Sequence, residues 1–207
     1  MDRLLPQLTV GHPNRAGTRF PARRFTRIVL LAPVAIALVW LAASQAGGPT
    51  GEPRPELPPA DLRLLDGAPS VDALVARFLA ALRDRDRVGL ERLRVTECEY
   101  LGLIVPGNVP PGAPLQRIPA DKAQYFWETL DGKSRYSVQH LLAEYGGRSY
   151  TLDKIDFAKG TSHYAWFDAY QQLRLQVKDE AGGAREIGTG SVVAVDGRFK
   201  FVSFLRD

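Results

Sequence analysis

The sequence predicts an α+β fold: N-terminal helices packed on a curved antiparallel sheet of about four strands, preceded by a single transmembrane helix. Three observations carry this expectation. Ile28 to Ala43 (IVLLAPVAIALVWLAA) contains no charged or strongly polar residue. Between Ser70 and Tyr145, apolar residues recur in segments at helical spacing. From Tyr150 onward the apolar period falls to two, with turn residues between the runs.

The apolar stretch organises the first third of the chain. As a helix, sixteen apolar residues span roughly 24 Å, and continuation to Gly48 reaches about 31 Å, enough for a bilayer core. Residues 1–27 carry six arginines against Asp2, a net of +5. The positive-inside rule therefore predicts a disordered basic cytoplasmic leader over 1–27, a transmembrane signal anchor over 28–46, and an extracytoplasmic remainder. Ser44-Gln45-Ala46 also has the small residues of a signal-peptidase site, which leaves cleavage after Ala46 as the competing expectation. Residues 47–66 open with GGPTGEPRPELPP, a Pro-rich tether that favours extended backbone. The predicted domain occupies 67–207, about 140 residues, a size that buries about 68–70% of its unfolded surface.

Charge excludes one class of partner. Taking the leader's +5 from the chain's net +4 leaves −1 for the rest, so the basic pI of 9.3 belongs to the leader. No nucleic-acid partner is expected. Arginine outnumbers lysine by 21 to 6, a bias compatible with a bacterial source.

Ser70 is an N-cap for a helix whose stripe is Val71, Leu74, Val75, Phe78 and Leu82. Asp86 caps a short second helix, and Thr96-Glu97-Cys98-Glu99 has capping-box spacing for a third. Pro106 to Pro119, with five prolines and two glycines, predicts a long loop. Asp121 and Gln124 start a helix that Gly132 ends. Ser134 starts the next, with Val138, Leu141, Leu142 and Tyr145 inward and Gly146-Gly147 as its stop. Strands are predicted over Tyr150–Phe157, Tyr164–Lys178, Glu186–Val195 and Arg198–Leu205, the last two joined by an Asp196-Gly197 turn. Gly188 and Gly190 on one face of the third strand predict curvature or a bulge.

The helices-then-strands order, with the endings Val192-Val193-Ala194-Val195-Asp196-Gly197 and Arg198-Phe199-Lys200-Phe201-Val202, resembles the nuclear-transport-factor-2-like (SnoaL-like) cone superfamily over residues 70–205. A cystatin-like sheet is the alternative. The resemblance implies helices closing over a bent meander. It also implies a strand after the second helix, for which this chain offers only Leu103-Ile104-Val105. Enzymes of the cone fold often pair an aspartate or histidine with tyrosines, and many members dimerise through the outer sheet face. Membrane-anchored members include inner-membrane scaffold components of type IV secretion systems, an analogy of architecture alone.

Candidate site residues lie on the even face of the long strand: Tyr164, Trp166, Asp168 and Tyr170. Together with Tyr100 they form an expected ligand or partner surface, read as an interface in preference to a pocket. The partners in view are the membrane through 28–46 and either a second copy of the chain or another envelope protein. Catalysis by Asp168 with nearby tyrosines is the enzymatic alternative, and an envelope assembly scaffold is the third. His140 lies off its helix's apolar stripe and reads as solvated, and His163 as a loop residue. Trp127 reads as core, and Cys98, the single cysteine, as buried or half-buried. No cofactor, metal ligand set or catalytic motif is expected. The reading is a membrane-tethered extracytoplasmic binding domain without catalytic activity.

Overall fold

Ser70 opens the first helix as its spacing requires: its side chain accepts from Ala73 N at 3.1 Å. The computed structural model describes residues 63–205. The leader, the span over 28–46 and most of the tether lie outside the described residues. Among the described residues no helix is long and apolar enough to cross a membrane.

Helix α1 (Val71–Arg83) buries Leu74, Val75, Phe78, Ala81 and Leu82, and α2 (Arg87–Arg92) follows under the Asp86 cap. The capping box forms at α3 (Glu97–Glu99), where Thr96 and Glu99 exchange backbone and side-chain hydrogen bonds. The chain continues as a π-helical stretch (Tyr100–Ile104) and the short α4 (Val105–Gly107). Leu103-Ile104-Val105, the candidate extra strand, is therefore helical. Helix α5 runs unbroken from Ala120 to Tyr145, 26 residues. Gly132 does not end it. One interior glycine costs about 1 kcal/mol relative to alanine, less than the burial of Ala123, Val138, Leu141 and Tyr145 along the same helix returns. Ser134 is no cap either: it is fully buried, and its Oγ accepts from Phe204 N at 3.0 Å, tying the C-terminal segment to α5.

Two of the four predicted strands are divided. The first forms whole as β1 (Tyr150–Phe157), and a short β2 (Thr161–His163) follows beyond its predicted end; the second is divided into β3 (Asp168–Tyr170) and β4 (Leu173–Asp179), the third into β5 (Ala184–Gly188) and β6 (Val192–Val195). The fourth is β7 (Arg198–Phe201). Two antiparallel sheets result, in the orders β1-β4-β5 and β2-β3-β6-β7. Backbone bonds continue across the kinks, from Gln171 N to Gly160 O at 2.9 Å and from Thr189 N to Leu173 O at 2.9 Å. Tyr170 and Leu173 pack on the same core although they stand an odd three positions apart, with Gln172 between them at a left-handed φ of 56°.

The third strand bends where its glycines predict. A Cβ on Gly190 would run into the Ser203 carbonyl oxygen and lie 2.6 Å from its Oγ. Gly190→Ala is therefore expected to destabilise by about 1–3 kcal/mol, read by urea unfolding. A variant as stable as the parent would show that the Ser203 backbone yields freely.

The kinks place apolar groups on both sides of the smaller sheet. One core joins α1 and α5 to the larger sheet and takes Val192 and Phe201 from the smaller one. A second core on the other side holds Leu64, Val95, Leu103, Ile104, Phe167, Ala169, Val193 and Val195. The outer edge of β7 is also covered. Ala68 exchanges two backbone bonds with Phe199, and Phe201 bonds to Leu93 O and Val95 N.

Candidate functional site

The pairing of residues 93–95 with β7 sets out a site that the sequence did not announce. Leu93 packs against the first core and Val95 sits in the second, while Arg94 is buried between them with 4% of its surface exposed. Its Nη1 donates to Asp131 on α5 at 3.1 Å, and Asp131 also pairs with Arg135 at 2.7 Å. The guanidinium lies 5.9 Å from the centre of the Trp127 ring. Burial holds the Arg94 pKa below the ordinary guanidinium value, against the opposing hydrogen bond and charge of Asp131. Its Nε and Nη2 are buried and have no hydrogen-bond partner among the described residues. Each unmet donor of this kind costs about 1–3 kcal/mol.

Beside Arg94 stands a fully buried ion pair. Lys200 of β7 reaches Glu99 of α3 at 3.0 and 2.9 Å, each residue 3% exposed. Glu99 also accepts from Leu65 N and Thr96 N, both at 2.6 Å, so four hydrogen bonds converge on one carboxylate. That saturation is what makes a buried charge pair tolerable.

A groove of about 440 Å³ runs over this polar centre. Arg94, Asp131, Lys200 and Trp127 line it, and the exposed side chains of Leu65 and Val88 give it apolar shoulders. The volume falls within the range of about 300–1,000 Å³ usual for small-molecule sites. A smaller hollow of about 260 Å³ on α5 is lined by Tyr136, His140, Glu144 and Phe204. There His140 is exposed, as its position off the stripe predicts, with its ring edge-on to Tyr136 at 4.4 Å.

The even face of the long strand does not exist as one surface. Tyr164 and Trp166 precede β3 and pack against the second core, Tyr164 stacked on Phe167 at 4.7 Å and Trp166 against Gly107. Asp168 and Tyr170 are in β3 and point to the other side, where Tyr170 packs on Phe157 at 5.2 Å and Phe199 at 6.1 Å. Tyr100 packs on Trp127 at 5.5 Å, and burial raises its phenol pKa. The predicted group thus divides into Tyr100, Tyr164 and Trp166 on one side of the small sheet and Asp168 and Tyr170 on the other. His163 is not a loop residue: it ends β2, and its Nδ1 meets Asp168 Oδ1 at 2.7 Å. Both are open to water, with side chains 70% and 43% exposed. Cys98 is exposed, since α3 turns it away from the core that takes Glu99. Phe126 is exposed as well, while Trp127, read as core, is partly buried.

Comparison with protein-family models, curated proteins and solved structures finds no match. Among the described residues no three His, Cys, Asp or Glu side chains cluster to hold a metal ion. The one sequence signal for the groove was the run Leu93-Arg94-Val95, an arginine between apolar neighbours beside a capping box.

Proposed function

We propose that this domain is a binding module without catalytic activity, held outside the membrane by the span over 28–46 and the tether over 47–66. The groove over Arg94 carries the reading. It joins apolar shoulders at Leu65 and Val88 to a buried, incompletely partnered guanidinium, the composition of a ligand site. Asp168, the residue an enzymatic role would need, stands open on a sheet face and is not among the groove's lining. An assembly role through Trp166 and Tyr170 loses its contiguous patch, because those residues face different sides of the small sheet.

One observation favours catalysis as the second reading: the 2.7 Å contact between His163 and Asp168 has the geometry of a carboxylate orienting an imidazole base. A fragment-library titration of the isotope-labelled full chain in detergent micelles separates the two. Binding at the groove predicts perturbation of the Trp127 indole signal, with His163 unmoved. Shifts centred on His163, lost in Asp168→Asn, would favour the enzyme. Membrane residence is read from the mature N-terminus of the membrane fraction: a chain beginning at Gly47 would overturn the anchor.

A further inference from the structure

We infer that the groove takes the carboxylate of a small organic acid with an apolar body, held by the free edge of the Arg94 guanidinium. This rests on the binding reading above and names its ligand class. A guanidinium presents its donors in a fixed planar fork, and Nε with Nη2 forms the side edge whose two N–H bonds run parallel. That edge is the unpartnered one in Arg94, whereas Nη1 is spent on Asp131. Two parallel donors match the two oxygens of a carboxylate.

The protein's own acids near the fork are otherwise engaged. Asp131 is shared between Arg94 and Arg135, Glu91 pairs with Arg87 at 3.0 Å, and Glu99 is saturated by Lys200, Leu65 and Thr96. The groove is lined by four cations (Arg92, Arg94, Arg135, Lys200) and three acids (Asp66, Glu91, Asp131), and Glu99 neutralises Lys200 from below, so the attraction for an anion rests on the Arg94 fork. The apolar part of the ligand is set by Leu65, Val88, Val95 and the Trp127 ring. Nε and Nη2 are sealed from water, so a carboxylate reaches them only as the side chains around the fork shift, and the Trp127 ring lies 5.9 Å from the guanidinium carbon. Trp127 is for that reason the natural reporter.

The test titrates the full chain in micelles with 4-phenylbutyrate, its neutral amide 4-phenylbutyramide, and inorganic phosphate, following the Trp127 indole signal. The carboxylate is expected to saturate at least about tenfold more tightly than the amide, a gap of about 1.4 kcal/mol. Arg94→Lys keeps the charge and loses the fork, so that preference should fall by about the same factor. Because Arg94 is buried and its substitution risks the fold, Val88→Glu supplies a second variant at an exposed position. It places a like charge at the mouth and should abolish carboxylate binding with an unchanged melting temperature.

Equal affinity for acid and amide would overturn the carboxylate assignment and leave the binding module standing. Phosphate binding as tight as 4-phenylbutyrate would overturn the apolar-acid class. If neither acid nor amide moves Trp127, in the wild type or in Glu91→Gln, where one carboxylate of the lining is neutralised, the inference fails. A fragment titration that also leaves Trp127 unmoved takes the binding reading with it.

Discussion

Glu99→Leu is expected to destabilise the domain by about 5 kcal/mol, the upper end for breaking a buried ion pair by removing one partner. The substitution strands three groups together: the Lys200 ammonium, Leu65 N and Thr96 N, all of which Glu99 now satisfies. Lys200→Met is expected to cost less, nearer about 3 kcal/mol, because Glu99 keeps both backbone donors. The double variant should recover part of the combined loss. An apolar pair removes the unpaired charge but leaves two buried N–H groups without acceptors, so recovery stays incomplete. Urea unfolding of the four proteins in a double-mutant cycle gives the coupling. Single variants that each lose under about 1 kcal/mol would show that water reaches this pair. Domains of this kind have only about 5–15 kcal/mol in total, so Glu99→Leu stands at the margin of folding.

Phe78→Ala is the second large effect, expected at about 3–5 kcal/mol. Phe78 is fully buried on α1, with its ring 5.4 Å from Phe201 and 5.7 Å from Phe204, which are themselves 4.9 Å apart. Three rings thus join the first helix, the last strand and the C-terminal segment. Neighbours anchored this way are poorly placed to collapse into the void, because β7 is held by its backbone ladder and Phe204 by Ser134. Phe78→Leu keeps most of the volume and is expected to lose less than half as much. The check is urea unfolding of both variants; equal losses would mean that ring geometry, not filled volume, sets the cost.

The parts legible in the sequence are those decided within a few residues. Ser70, the Thr96–Glu99 box, the Asp196-Gly197 turn and the strand Tyr150–Phe157 are set locally, and each forms where the sequence places it, the strand with a register shift between Leu152 and Lys154. The α+β order follows from them. What the sequence did not disclose depends on distant partners. Helix α5 passes through Gly132 because contacts at both ends hold it, a sum that no local propensity contains. The kinks at Gln171-Gln172 and at Thr189–Ser191 alter which core each strand residue meets, so parity counted along one straight strand grouped Tyr164 and Trp166 with Asp168 and Tyr170.

The candidate site was hidden for the same reason. Lys200 alternates with Phe199 and Phe201, a pattern that assigns it to water, yet the smaller sheet is covered on both faces and Lys200 meets Glu99 instead. Arg94 lies beside β7 through a pairing between residues more than a hundred apart in the chain. No window of local sequence contains that contact.

The covering of β7 by Ala68 and by residues 93–95 bears on how copies of this protein behave toward one another at high concentration. An uncovered strand margin is a template on which another chain can add a strand and begin aggregation. Here the β7 margin is occupied by the protein's own backbone. In the larger sheet, the edge strand β1 presents exposed Asp153, Lys154 and Asp156, and the edge strand β5 presents exposed Arg185 and Glu186. Charges in those places oppose the addition of an unrelated strand. The β7 margin and the two margins of the larger sheet therefore resist strand addition by a second copy.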